Sequence, residues 1–283
     1  MDDKLINFHI YRYHLLPIES ANQQVKLFND KKITAKEIKE RKNEFFAKTL
    51  ANLEDSKNSS HPLKLEHSEG QNYLFKLAQN KTTNITKDFK NIKIADAPYA
   101  HVVLNNDPSV QKIAISDNKE AFSSPEVVKN ILKKLFRRDL EKFGLNIEIE
   151  ALYDKVEFWK YVSKHRKEIT YLNFEFIKPN LANISKSLPL VFKNFVDNTN
   201  SHESHIIIKA PEKGTLVNIK KSNEAIKGLV DYTSEGAGSI KLKVKGIRKQ
   251  ISTKEKPVTI QVRELDIEGP AEQVIKLYKT IIE

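Results

Sequence analysis

The stretch Ile240-Lys241-Leu242-Lys243-Val244-Lys245 restricts the fold of this chain more than any other feature, because three aliphatic residues alternate strictly with three lysines. Side chains on a β-strand point alternately to opposite faces, so a period of two is typical of a strand buried on one face only. A helix would scatter the same residues around its circumference. The stretch therefore predicts a strand that places its aliphatic side chains in a core and its lysines on the opposite face.

The order of the other predicted elements indicates an α+β fold. From Ile169 onward, strand and helix patterns follow one another as β-α-β-α-β-β-α, beginning with a strand over 169–177 and ending with a helix that starts at Pro270. This order predicts mixed or antiparallel sheets with helices packed on one face, and a ferredoxin-like arrangement of the C-terminal part. We expect two domains, an N-terminal α+β domain over residues 1–165 and a C-terminal α/β sandwich over 166–283.

Two helix starts in the N-terminal part carry specific signals. Thr34 stands three residues before Glu37, the spacing of a capping box, ahead of a helix predicted from Ala35. Ser124 and Pro125 precede an amphipathic pattern, and proline is favoured at the first helical position. We therefore predict helices at both places.

The charge balance favours an anionic partner. The chain has 48 Lys and Arg against 37 Asp and Glu, a formal net charge of +11. The span from Lys209 to Lys256 contains 12 basic and 5 acidic residues, so it alone carries +7. An excess concentrated in one span is the electrostatic pattern of a nucleic-acid-binding surface, whereas a dispersed excess would indicate only a solvated surface.

The absence of cysteine excludes disulfides and thiolate metal sites. We predict no metal site and no cofactor. The start of the chain lacks the pattern of a signal peptide, and no apolar run is long enough to cross a membrane, so we expect a cytoplasmic protein without a membrane partner.

The candidate nucleic-acid-binding residues lie on and after the alternating strand and on the helix that begins at Pro125. The alternative for the strand is that its lysines protect a sheet edge from aggregation. For the helix it is an ordinary solvated face. The candidates are Lys241, Lys243, Lys245, Arg248, Lys249, Arg263, Lys133, Arg137 and Arg138.

Histidines supply weaker candidates for catalysis. His202, Glu203 and His205 could provide acid–base groups, although a polar loop explains the same residues. Their spacing is not that of a helical metal pair.

Three functions follow as hypotheses. The first is nucleic-acid binding through a basic sheet face, in the setting of an effector or accessory of a phage-defence or toxin system; no motif carries that setting. The alternatives are a metal-independent ribonuclease or nuclease, and a protein-interaction subunit that docks an acidic partner or forms a homo-oligomer.

Overall fold

The computed structural model describes residues 4–18, 24–26, 32–53, 60–267, 269 and 282. Within them the chain combines helices with antiparallel sheets, which confirms the α+β class. The described chain divides into two compact units that interleave in sequence. Unit 1 comprises residues 1–9, 43–143 and 259–283, and unit 2 comprises residues 10–42 and 144–258. The predicted domain division between residues 165 and 166 remains a prediction.

Unit 1 is built on a sheet of antiparallel strands. Its helices are α2 (Lys42–Ala51, of which Lys42 belongs to unit 2), α3 (Pro125–Leu140) and α8 (Glu264–Ile267). It contains residues 5–9 of β1 (Leu5–Pro17). Its other strands are β4 (Leu63–Glu69), β5 (Asn72–Ala78), β6 (Lys81–Lys87), β7 (Lys90–Asp96), β8 (Tyr99–Asn105), β9 (Lys112–Ser116) and β15 (Thr259–Arg263).

The sheet of unit 1 buries an apolar core. Strand order runs β9-β8-β5-β4, and β15 pairs with Leu5–His9 of β1. Helix α3 begins at Pro125 as predicted, and its stripe of Val128, Leu132 and Phe136 is fully buried. Phe136 meets Phe46 of α2 edge-on at 5.2 Å between ring centroids. Among the described strands, β6 and β7 pair only with each other and form a separate hairpin.

Unit 2 carries the alternating strand. Its elements are the remainder of β1, β2 (Gln24–Lys26), β3 (Lys32–Thr34), α1 (Ala35–Glu40), β10 (Leu145–Ala151), α4 (Lys155–Lys164), β11 (Ile169–Ile177), α5 (Ala182–Ser185), α6 (Leu190–Thr199), β12 (Glu203–Lys209), α7 (Glu224–Tyr232), a π-helical turn (Thr233–Ala237), β13 (Gly238–Val244) and β14 (Ile251–Ser252). The predicted capping box of Thr34 and Glu37 is present at the start of α1.

A four-stranded antiparallel sheet in the order β12-β11-β13-β14 organises unit 2. One face of this sheet packs on helices through Leu172, Phe174 and Ile240, which meet residues of α4 and α7 in one buried cluster. The opposite face, which we call the polar face, carries Tyr171, Asn173, Glu175, His205, Ile207, Lys209, Ser239, Lys241 and Lys243.

The predicted ferredoxin-like arrangement is not confirmed. Strand β15, which was expected to follow the alternating strand in the same sheet, pairs with β1 instead. The helix predicted from Pro270 lies outside the described residues. Within the described ranges, no helix is long and apolar enough to cross a membrane.

Candidate nucleic-acid interface

The alternation predicted for strand β13 is confirmed. Ile240, Leu242 and Val244 are almost completely buried, whereas Lys243 is exposed. The helices of unit 2 cover the aliphatic side, so the lysines must point to the polar face. The three strand lysines nevertheless have different surroundings.

Lys241 holds a buried carboxylate. Its ammonium donates a short hydrogen bond to Oε1 of Glu175, and the two side chains are 36% and 9% exposed. Ser239 Oγ also donates to Glu175, at 2.9 Å, and Asn173 Nδ2 donates at 3.2 Å. Burial alone would raise the pKa of Glu175, but the hydrogen bonds from Lys241 and Ser239 and the charge of Lys241 outweigh it and lower that pKa. The charge of Lys241 is therefore compensated inside the protein.

Lys243 and the residues that follow it carry charge at the surface. The Lys243 ammonium lies 5.5 Å from the centre of the Tyr171 ring, a cation–π arrangement on the polar face. Lys245 and Arg248 are exposed and form no ion pair with any described residue. Lys249 pairs with Glu255 at 2.8 Å. This pair is exposed on both sides, so solvent screens it strongly.

Antiparallel pairing brings further cations close to Lys243 and Lys245. Because β11 runs opposite to both neighbours, the residues before it meet the residues that end β12 and follow β13. The Ala210 amide donates to the Thr170 carbonyl at 2.9 Å, and the Lys245 amide donates to the Glu168 carbonyl at 2.7 Å. We call the segments 164–168, 209–213 and 243–249 together the basic end of the sheet.

The basic end concentrates positive charge. Its exposed cations are Lys164, Arg166, Lys167, Lys209, Lys213, Lys243, Lys245, Arg248 and Lys249. Within the three segments only Glu168 and Glu212 are acidic, and Glu168 already contacts the ring of His165 at 2.8 Å. The sequence prediction did not include the cations at 164–167 or Lys213. They could have been found only by recognising that the start of β11 lies beside the other two segments.

The remaining predicted cations belong to unit 1. Arg263 forms two hydrogen bonds of 2.9 Å with the Asp266 carboxylate. Arg138 contacts Asp139 at 3.3 Å, and Lys133 and Arg137 are partly buried on the same helix. Because the lysines of β13 belong to unit 2, these four residues are not part of the basic end.

The two histidines predicted as catalytic candidates lie in different surroundings. Nε2 of His202 is 2.9 Å from the Pro17 carbonyl oxygen and donates to it. The His205 ring instead lies on the polar face, with Nε2 at 3.2 Å from Glu203 and Nδ1 at 3.9 Å from Glu175. A histidine between two carboxylates, with Lys241 on one of them, is an arrangement that can exchange protons.

Two glycines at the start of β13 are required by packing. A Cβ atom at Gly238 would lie 2.0 Å from the Glu175 carbonyl oxygen, and φ there is +150°. At Gly236, φ is +77° and a Cβ would lie 2.6 Å from Cβ of Arg12. These glycines therefore let the chain turn closely into β13, beside the buried Glu175 cluster.

Within the part of the chain that the structure describes, no group of three His, Asp or Glu side chains is placed to hold a metal ion. No protein-family model, no curated protein and no solved structure matches this chain.

Proposed function

We propose that this chain binds nucleic acid through the basic end of the unit 2 sheet. The proposal rests on three chain segments that meet at one end of the sheet. Together these segments carry nine exposed cations and only two acids. Phosphates spaced along a nucleic-acid strand are attracted by such a cluster whatever the base sequence. Tyr171, beside Lys243, adds an aromatic face on which a base can stack.

Edge protection explains less of this arrangement. Lysines that protect a sheet from aggregation lie on edge strands, which accounts for Lys209 on β12. Lys164, Arg166 and Lys167 precede β11, which is paired on both sides and needs no protection. The clustering of these cations with Lys243 and Lys245 favours a polyanionic ligand over a structural role.

The test is a charge-reversal variant of the basic end. In Lys243→Glu/Lys245→Glu/Arg248→Glu, all three changed side chains are exposed. Lys241 is left in place because it also holds Glu175. We expect weaker binding of a labelled oligonucleotide in an anisotropy titration, and a salt dependence whose slope falls by about 1 for each lost phosphate contact.

The matched control reverses three exposed lysines near and on α7, on the helix-covered side of the same unit. Lys220→Glu/Lys221→Glu/Lys227→Glu changes the net charge by the same amount. It should bind nucleic acid almost as the wild type does. Equal affinities and equal salt slopes for the two triple variants would refute the proposal. Capture of an acidic protein by a wild type that binds no nucleic acid would support the interaction-subunit alternative.

The surroundings of His205 favour a second candidate function, metal-independent cleavage of RNA. In that reaction the His205 imidazole takes the proton of a ribose 2′-hydroxyl, the oxygen attacks the adjacent phosphorus, and the 5′-oxygen leaves with a proton from an acid. Lys241, bound to the same carboxylate that faces His205, would be that acid.

His205→Ala and His202→Ala form a matched pair for this candidate, because only His205 lies on the polar face. With EDTA present, the first variant should lose RNA cleavage and the second should keep it. RNA left intact by the wild type would remove the candidate. The phage-defence or toxin setting stays a prediction.

A further inference from the structure

The hairpin of β6 and β7 in unit 1 is exposed to solvent. Its two strands pair from Lys81 with Asp96 to Lys87 with Lys90, and they pair with no other strand. Every residue of β7 is exposed. An isolated two-stranded hairpin is marginally stable in water, and it gains stability when something covers one face.

The tip of this hairpin presents an aromatic ring to solvent. Asp88 and Phe89 both have positive φ, +51° and +60°, as in a type I′ turn, where asparagine and glycine are preferred. Phe89 has 101% of its reference area exposed. A bulky residue with positive φ destabilises the turn, and a ring entirely in water contributes nothing to the core. Neither property of Phe89 helps the protein to fold.

The two faces of the hairpin differ. Ile85 lies opposite Ile92, and Ile94 lies opposite Thr83, so one face carries three isoleucines that are each about 40% exposed. Lys90 is beside Phe89 at the tip. The other face is polar and includes Thr82, Asn84, Thr86, Asn91 and Lys93.

We infer that this hairpin is a nucleic-acid-binding arm whose Phe89 stacks against bases. A two-stranded ribbon fits a nucleic-acid groove, and apolar side chains at such a contact enter between bases. Lys90 beside the ring and Lys93 on the polar face are both exposed and without an ion pair to any described residue, so they would contact phosphates of the same ligand. The hydroxyl and amide groups of the polar face supply further hydrogen bonds. The inference rests on the proposed function, but it concerns different residues in the other unit.

The first experiment places a fluorescent reporter at the tip. The wild type has one tryptophan, Trp159, which is 5% exposed, so its emission should change little when an oligonucleotide is added. In Phe89→Trp, stacking on a base should strongly quench the additional emission. The titration uses single-stranded and duplex oligonucleotides of about 20 nucleotides, which is longer than a usual single-strand site. Quenching by the single strand alone indicates stacking on an unpaired base, whereas quenching by the duplex indicates entry between neighbouring base pairs.

The second experiment measures affinity. Phe89→Leu keeps an apolar side chain but removes the aromatic face, and we expect binding to weaken about 5- to 150-fold, the effect of one stacked base. Phe195→Leu makes the same change at a phenylalanine of α6 in unit 2 that is 62% exposed and lies outside the basic end, so it is the matched control and should bind like the wild type.

The outcomes separate the two proposals. If the wild type binds nucleic acid, but Phe89→Leu binds equally well and the added emission of Phe89→Trp is not quenched, the inference about the arm is wrong while the basic end stands. If the wild type binds no nucleic acid, both are wrong. A wild-type dimer that Phe89→Leu dissociates in light scattering would show that the arm binds a second copy, and would also overturn the inference.

Discussion

Replacing Lys241 with methionine should destabilise unit 2 more than the same change at Lys243, two residues along the same strand. Lys241→Met removes a charged donor from Glu175, whose side chain is only 9% exposed. A buried carboxylate left without a charged partner costs about 3–5 kcal/mol when it has no other donors. Because Ser239 and Asn173 still donate to Glu175, we expect a loss of about 2 kcal/mol in the free energy of unfolding.

Lys243→Met removes only the cation–π contact with Tyr171, which at an exposed site contributes about 0.5–1 kcal/mol. Urea denaturation followed by the fluorescence of Trp159, which lies in the unit 2 core, measures both variants. The urea midpoint of Lys241→Met should fall by roughly 1 M. Equal midpoints for the two variants would refute the view that Lys241 is a structural partner of Glu175.

The difference should also depend on pH. The pKa of Glu175 is lowered from its ordinary value of 4.5 in the folded protein, so its interactions stabilise the fold above that pH. This contribution is lost as the pH falls through the lowered pKa. The advantage of the wild type over Lys241→Met should therefore narrow below about pH 4.5.

Three further predictions concern the fold. Gly238→Ala should lower the melting temperature sharply, because its Cβ would lie 2.0 Å from a backbone oxygen. At Gly246, φ is +82° but nothing lies within 4 Å, so Gly246→Ala should lower the free energy of unfolding by only about 1–2 kcal/mol. Burial lowers the pKa of Lys42 to about 8 from 10.5, so the unfolded chain binds that proton more tightly. Between pH 8 and 10.5, the free energy of unfolding of the wild type should therefore rise by up to about 3 kcal/mol more than that of Lys42→Met. Urea midpoints that change with pH in the same way for both proteins would contradict this. Thr34→Ala removes the two hydrogen bonds between the Thr34 hydroxyl and Glu37, one of which belongs to the capping box, and leaves the bond from the Thr34 amide to the Glu37 carboxylate. The change should cost about 1 kcal/mol in the free energy of unfolding, measured in the same way.

Part of the candidate interface could be predicted from the sequence because it depends on local geometry. The period of two at Ile240–Lys245 requires only that the segment be a strand with one buried face, and the structure has that strand and that face. The environment of each lysine could not be predicted in this way. Glu175 is distant from Lys241 in sequence, and only the register of β11 against β13 brings them together.

The sequence by itself determined the α+β class, the capping box at Thr34, the start of α3 at Pro125 and the alternation on β13, because each depends on backbone geometry within a few residues. Tertiary structure alone decided that β15 joins β1, that Glu175 compensates Lys241, and that the cations at 164–167 meet those after β13. The physical reason is that strand partners are selected by the burial and pairing of whole elements. A period within one strand specifies which face is covered, but not which distant segment covers it.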